Sequence, residues 1–167
     1  MPDGPSIDPR AFRDVIGRFA TGVTVITMEA GGKARAMTAN AVSSLSLDPP
    51  LLLVCIDRKA TMHQLFEVGA AFAVNILVEE QRAISDFFAR SNDDENPMGN
   101  HAHRPGDLGA PLIEGALAHA ECRVAEQHAG GDHTIVIGRV ESMAIDRPDA
   151  PPLLFYTGRY HSLGLEL

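Results

Sequence analysis

The chain has 167 residues, of which 45% are hydrophobic, and it carries a formal net charge of −8. This length suits one domain, residues 1–167, that buries about two-thirds of its unfolded surface, and the composition is that of a globular protein. The acidic balance excludes nucleic acid as an expected partner, because Lys and Arg contacts to phosphate supply most of that affinity. Any nucleotide must instead be held by a few local cations and backbone amides.

No apolar run approaches the roughly 20 residues that a membrane-spanning helix needs. The N-terminus also lacks the basic-then-apolar layout of a secretory signal, so we expect a cytoplasmic protein without membrane contact. The two cysteines, Cys55 and Cys122, are too few for a disulfide framework and lack metal-site spacing. Because both lie in apolar, strand-like runs, we expect buried thiols.

The amino-terminal segment predicts one amphipathic helix after a flexible stretch, residues 1–8. Asp8 followed by Pro9 is typical of an N-cap and a first helical position. Apolar side chains then recur at helical spacing, which predicts a helix over residues 9–20 with a packed apolar face.

Runs rich in β-branched residues, separated by turn residues, predict about seven strands. In chain order they cover residues 23–28, 34–42, 51–56, 72–77, 115–127, 133–145 and 153–156. Gly31-Gly32 predicts the first hairpin turn, and the prolines of Asp48-Pro49-Pro50 predict an irregular segment from Ser43 onward.

Two further helices and one long loop complete the predicted elements. Thr61 with Gln64 has the form of a capping box, which predicts a short helix there, and a second helix is predicted over residues 79–89. The polar, Pro- and Gly-containing residues 90–110 predict a long mobile surface loop. Mostly sequential strands with tight turns favour a mainly β fold, an antiparallel barrel with a few helices at its ends, over a βαβ sheet.

A first candidate site spans the end of the second predicted strand and the residues after it, from Met37 to Ser44. Small and hydroxylated residues there would let a flat ring approach the backbone and would offer hydrogen bonds to its polar edge. The residues concerned are Met37, Thr38, Ala39, Asn40, Ser43 and Ser44. The alternative is an ordinary strand followed by a polar loop.

A second candidate site is Asp57-Arg58-Lys59-Ala60-Thr61, where two cations meet the start of the predicted short helix. Free N–H groups and positive charge at a helix start favour an anion such as a nucleotide phosphate. The alternative is a solvated charged turn.

A third candidate is Asp132-His133, presented by a tight turn at Gly130-Gly131. Histidine is the usual general acid or base near neutral pH. The chain has no recognisable nucleophile motif beside it, and the other histidines show no metal-ligand spacing, so no metal is expected. The alternative is a turn histidine that is hydrogen-bonded within its own loop.

A fourth candidate is the tail from Phe155 to His161, which contains Tyr156, Arg159 and Tyr160. Aromatic faces and an arginine suit a dinucleotide, by stacking and by pairing with phosphate. The alternative is a C-terminal strand that docks on the barrel or on a partner subunit.

Taken in this order, six stretches of the chain resemble the short-chain flavin reductase family, which includes the reductase components of two-component flavin-dependent monooxygenases. The matching stretches are residues 19–27, 37–40, 44–50, 72–77, 131–133 and 152–156. The resemblance implies an antiparallel Greek-key FMN-binding split barrel, usually a homodimer. It also implies reduction of FMN or FAD by NADH or NADPH, with reduced flavin passed to a separate monooxygenase component.

The resemblance further implies roles for named residues. Flavin contacts are expected from Met37, Thr38, Ala39, Asn40, Ser43 and Ser44, and the ribityl phosphate site from Cys55, Ile56, Asp57, Lys59, Ala60 and Thr61. Closure over the flavin is expected from Phe87 or Phe88 together with the loop after them. His133 is expected to face the nicotinamide as the catalytic residue, in an orienting and electrostatic role, with Tyr160 nearby. Many relatives have serine where this chain has Ala60, which removes one hydroxyl from the phosphate site. The rival interpretations are a flavin-binding electron carrier or flavin store without turnover, and a barrel that serves only in assembly.

Overall fold

The described part of the chain, residues 7–90 and 97–164 of a computed structural model, folds mainly into antiparallel β-strands. The predicted mainly β architecture is therefore confirmed. In chain order the strands are β1 (Thr21–Gly22), β2 (Thr24–Ala30), β3 (Lys33–Ala39), β4 (Val42–Leu47), β5 (Pro50–Asp57), β6 (Ala71–Ile76), β7 (His103–Pro105), β8 (Pro111–Ile113), β9 (Ala118–Gly130), β10 (His133–Ile145), β11 (Leu154–Tyr156) and β12 (Arg159–His161).

Seven of these strands form one sheet in the order β3-β2-β6-β9-β10-β5-β4. Strands β5 and β6 are consecutive in the chain but lie on opposite sides of the β9–β10 hairpin, which gives the sheet its Greek-key character. The two edge strands, β3 and β4, are joined only by Asn40 and Ala41, so the sheet curls and brings the end of β3 close to the start of β4. Within the described ranges these edges do not pair, which is the open seam of a split barrel.

The barrel interior is filled by large apolar side chains that alternate with outward-facing residues along each strand. Ile26, Val54, Ile56, Phe72 and Val136 have no exposed surface. Full burial of one such side chain contributes about 1.5–3 kcal/mol to stability.

The two thiols occupy different environments on neighbouring parts of the sheet, and both are free. Cys122 in β9 is fully buried, as predicted, whereas Cys55 in β5 is only half-buried. Burial raises the pKa of the Cys122 thiol to about 12, and the carboxylates of Glu121 and Glu141 add to this effect.

Two α-helices flank the sheet. Helix α1 (Pro9–Ile16) begins at the predicted N-cap, because the Asp8 carboxylate accepts hydrogen bonds from the Arg10 and Ala11 amides at 3.2 and 3.3 Å. It is shorter than the predicted helix over residues 9–20, and the prediction of a packed face is wrong for this chain, since none of its residues is buried. Helix α2 (Arg82–Phe88) follows a 3₁₀ turn at Glu79–Gln81, which confirms the helix predicted over residues 79–89.

Two sequence-based elements differ from the structure. The segment from Ser43, predicted to be irregular, forms the edge strand β4, because its prolines fall at the β4–β5 turn and at the start of β5 rather than inside the ladder. The short helix predicted at Thr61 is a 3₁₀ turn of three residues, His63–Leu65, without a side-chain cap. The chain leaves that turn at once to bury Phe66 in the core.

Part of the predicted loop over residues 90–110 is ordered β-structure, so the prediction of a loop is wrong there. Residues 91–96 lie outside the described residues, as do residues 1–6 of the predicted flexible N-terminus. Strand β7 pairs with β8, and the buried Glu121 carboxylate accepts hydrogen bonds from the Asp107 and Leu108 amides between them, both at 2.8 Å. Within residues 7–90 and 97–164, no helix is long and apolar enough to cross a membrane.

Candidate functional site

A cavity of about 250 Å³ lies between strand β3, the turn after β5 and the end of helix α2. Two of the predicted segments line it together, since Met37 and Thr38 belong to the first and Asp57, Lys59, Ala60 and Thr61 to the second. The remaining lining residues are Ala36, Phe88, Ala89 and Arg90. The structure thus places the expected ring segment and the expected phosphate segment around one space.

A second cavity, of about 140 Å³, lies next to the first and shares Thr38 and Ala89 with it. Its other lining residues are Val23, Ala39, Asn40, Ser85, Phe155 and Tyr160. The two cavities form one elongated depression, which we call the β3–α2 groove. Its floor is built largely from small side chains, which leave room for a flat ligand against the backbone.

The wall of the groove that carries Lys59 is a turn stabilised by its own aspartate. Asp57 Oδ1 accepts a hydrogen bond from the Lys59 amide at 2.8 Å, and the Asp57 carbonyl accepts one from the Ala60 amide at 2.9 Å. This aspartate turn replaces the predicted helix start. Attraction for an anion here therefore comes from cationic side chains rather than from a helix dipole.

The turn between β9 and β10 lies directly beside that wall. Its residues are Gly131 and Asp132, one position later than predicted, and Gly131 adopts a φ of +70°, which favours glycine. His133 is paired with Asp57 across the β10–β5 ladder, and the Arg58 amide donates to the Asp132 carbonyl at 3.1 Å. These contacts hold the Asp132-His133 turn against the segment from Asp57 to Thr61.

His133 is oriented by its neighbour in this turn. His133 Nδ1 and Asp132 Oδ1 are 2.7 Å apart, and 41% of the histidine side chain is exposed. This hydrogen bond, with a smaller contribution from the charge of His133, lowers the pKa of the Asp132 carboxyl. The ring is thus positioned at the surface next to the groove, although it does not line either cavity.

Tyr160, from the fourth predicted segment, closes the other end of the groove. Its hydroxyl is 2.9 Å from Ser85 Oγ, and Thr38 Oγ1 donates to the Ser85 carbonyl at 2.8 Å. The Arg82 guanidinium lies over the tyrosine ring, 5.3 Å from its centroid. The tail also docks on the rest of the chain, since β11 pairs with β1 in a separate three-stranded sheet, which agrees with the alternative of a docked C-terminal strand. Binding of a dinucleotide by this segment stays a prediction.

Four of the expected site residues lie elsewhere. Ser43 and Ser44 are exposed on the edge strand β4, outside the groove. The Ile56 side chain is fully buried in the core, so this residue could meet a ligand only through its backbone, and the Cys55 side chain lines neither cavity. The burial of Ile56 follows from the alternation of β5, which turns its side chain to the interior and the side chains of Cys55 and Asp57 to the other face.

The sequence interpretation missed Ser85 and Arg90, both contributed to the groove by α2 or its end. Ser85 and Phe88, three positions apart, are buried on one helix face, so a serine at an apolar-face position was the available signal. Arg90 had a weaker signal, as a cation placed directly after that face.

On the opposite side of Asn40 from the groove lies a much larger cleft of about 870 Å³, which we call the apolar cleft. It is formed mainly by residues 19–22 and strands β4, β5, β9 and β10, and its lining includes Phe19, Leu47, Met143 and Ile145. These four side chains are unusually exposed, with Leu47 at 94%. Asn40 lines both the groove and the cleft.

Among residues 7–90 and 97–164, no three or more His, Cys, Asp or Glu side chains are grouped to hold a metal ion.

Comparisons with known proteins agree with this geometry. A family model described as a flavin reductase like domain matches residues 16–164. The reductase subunit HsaB of a flavin-dependent monooxygenase from Mycobacterium tuberculosis is 41% identical over 92% of this chain and 82% of its own length. An NADH-dependent flavin reductase from a Rhodococcus species is 40% identical over 96% of this chain and 90% of its own length.

A solved structure extends the similarity to the fold. The NADH:FAD oxidoreductase SgcE6 from Streptomyces globisporus, in complex with NAD and FAD fragments, superimposes with a TM-score of 0.86 at 38% identity. The alignment covers 96% of this chain and 98% of that one.

Proposed function

Because this chain belongs to the flavin reductase-like family, we propose that it reduces FMN or FAD with NADH or NADPH. We further propose that residues 1–167 act as one flavin reductase-like domain and supply reduced flavin to a separate monooxygenase component. The names of the relatives favour NADH as the hydride donor and a monooxygenase as the recipient. The proposal retains the cytoplasmic location expected from the sequence, and two free thiols suit a reducing compartment.

One observation carries the proposal: the β3–α2 groove gathers the two predicted flavin segments and lies beside the His133 turn. A flavin has a flat ring and a phosphate, and the groove offers a small-residue floor together with the cations Lys59 and Arg90. The residues present therefore fit the group. When bound, a flavin supplies a ring that accepts hydride from reduced nicotinamide.

The chain's own residues would act by binding and orientation. Thr38 and Asn40 would meet the ring, Lys59 and Thr61 the phosphate, and His133 the nicotinamide. Tyr160, the second residue expected at the nicotinamide, lies at the end of the groove away from the His133 turn. Holding two reactants at reaction distance supplies roughly 7–11 kcal/mol in favourable cases, and hydride transfer itself needs no protein acid or base. His133 is accordingly an orienting and electrostatic residue in this proposal.

The proposal includes a homodimer formed through the apolar cleft. Exposed side chains such as Leu47, Met143 and Phe19 form a continuous apolar surface, and exposed apolar patches of this kind mark interaction sites. The apolar side chains of α1, among them Phe12 and Val15, are exposed as well. A second copy of the chain would cover both surfaces.

The decisive experiment follows NADH oxidation with and without added FMN or FAD. Oxidation that depends on added flavin is the expected result. NADH left unoxidised with every flavin, in protein that binds flavin, would instead support the electron carrier or flavin store. Protein that binds no flavin at all would support a purely structural barrel.

A further inference from the structure

We infer that Arg90 is a phosphate-binding residue of the β3–α2 groove, which acts with Lys59 from the opposite wall. This inference rests on the proposed flavin-binding function of the groove. It assigns a phosphate-binding role to a residue outside the predicted phosphate segment, in a loop for which the family resemblance implies only closure over the flavin.

The position of Arg90 is the first argument. The larger cavity of the groove has two cationic lining residues, Lys59 on the turn after β5 and Arg90 just beyond the last residue of α2. Arg58, the other cation of the turn, does not line the cavity, and its amide is directed to the Asp132 carbonyl. A phosphate in this cavity would therefore lie between one lysine and one arginine on separate elements.

The electrostatic setting is the second argument. The chain carries a net charge of −8, and the Asp57 carboxylate lines the same cavity. The carbonyl end of α2 also lies beside it and carries the negative end of the helix dipole. A second cation in the cavity would offset part of these three influences and so strengthen the binding of an anion.

The availability of Arg90 is the third argument. Its side chain is exposed and makes no ion pair or hydrogen bond to any residue within 7–90 or 97–164. Other arginines, by contrast, pair with carboxylates: Arg82, Arg104, Arg123, Arg139 and Arg147. A guanidinium without a partner among these described residues can present its planar donors to two phosphate oxygens at once.

The test compares FMN with riboflavin, which has the same ring but no phosphate. Equilibrium dissociation constants are measured by flavin fluorescence for the wild type, Arg90→Gln and Arg104→Gln. The Arg104 variant removes the same charge from strand β7, away from the groove. We expect R90Q to weaken FMN binding about five- to tenfold, as for loss of a partly exposed charge-assisted contact. Riboflavin affinity should be unchanged in R90Q, and both affinities should be unchanged in R104Q.

The possible failures separate the two proposals. R90Q that leaves FMN affinity unchanged, or that weakens FMN and riboflavin equally, would overturn the Arg90 role alone. A wild type that binds FMN no more tightly than riboflavin would overturn the phosphate site itself and the Arg90 role with it. Arg90→Lys provides a folding check, because it should restore most of the FMN affinity if charge in the cavity is what matters.

Discussion

His133 and Asp132 show how one tight turn can orient a side chain without help from a distant element. Their 2.7 Å hydrogen bond lowers the pKa of the Asp132 carboxyl, so the carboxylate remains charged at neutral pH. Because the pKa of Asp132 is lower in the folded state than its ordinary value of 3.8, the charged carboxylate stabilises the fold at any pH above 3.8. This stabilisation is lost as the pH falls below 3.8 and through the lowered pKa of the folded state. The Asp132 carboxylate therefore remains a charged hydrogen-bond partner of the His133 imidazole at neutral pH.

At the residue scale we predict that His133→Ala raises KM for NADH about tenfold and leaves the dissociation constant for flavin unchanged, because one polar contact to the nicotinamide is lost. Steady-state kinetics and flavin fluorescence measure the two quantities. His128→Ala is the matched control, since His128 is also exposed and paired with a neighbouring acid, Glu126, at 2.9 Å. An unchanged KM in H133A would refute the orienting role.

Among the secondary-structure elements, the hydrogen bond between Ser85 and Tyr160 joins α2 to the C-terminal β11–β12 hairpin. Ser85 is fully buried, so loss of the tyrosine hydroxyl would leave its hydroxyl without this partner. The same serine offers its carbonyl to Thr38 on β3. Three elements of the groove are thus connected through one residue.

We predict that Tyr160→Phe lowers the free energy of unfolding by about 1 kcal/mol, the usual net value of a hydrogen bond. Urea denaturation at fixed protein concentration measures this change. Tyr156→Phe is the control, because the Tyr156 hydroxyl makes no hydrogen bond within the described residues. The double variant with Ser85→Ala should cost less than the sum of the two single changes, and full additivity would contradict a direct interaction.

The accuracy of sequence-based prediction differs between elements for physical reasons. Strand β10 was predicted with its observed bounds, because a long β-branched run follows a glycine turn. Strand β4 was missed because its serines and the nearby prolines look irregular, whereas pairing along one edge of β5 tolerates both. The capping box at Thr61 failed because burial of Phe66 ends the helical turn after three residues. Local patterns therefore indicated most strands, and tertiary packing decided the exceptions.

In the candidate site too, some residues could be predicted from local sequence and others depend on tertiary packing. Met37, Thr38, Lys59 and Thr61 could be named from segment composition and family resemblance, and the structure brings them together. Ser85 and Arg90 carry only weak signals in the sequence, because the docking of α2 against β3 is what places them in the groove.

Considered as a whole molecule, the chain combines a strongly acidic surface with a large exposed apolar cleft. A net charge of −8 opposes non-specific association, so any contact through the cleft must bury enough apolar area to outweigh the repulsion. The cleft and the groove are adjacent at Asn40, in the link between the two edge strands.

We predict that Leu47→Glu converts a dimer to a monomer at micromolar concentration, because it introduces an unpaired charge into the apolar cleft. Size-exclusion chromatography with light scattering measures the change in mass. Val68→Glu is the control, since Val68 is also well exposed, at 70%, but does not line the cleft. A wild type that is monomeric, or an L47E protein that remains dimeric, would contradict the proposed interface.

The unequal environments of the two thiols have a practical consequence for covalent labelling. With a pKa of about 12, only about one Cys122 in ten thousand is a thiolate at pH 8, and the thiolate is the form that reacts with alkylating reagents. Cys55 is half-buried and lies two residues before Asp57 on the same face of β5. A maleimide dye should therefore attach at Cys55 alone. Its fluorescence would then respond to ligand binding in the nearby groove, without any engineered cysteine.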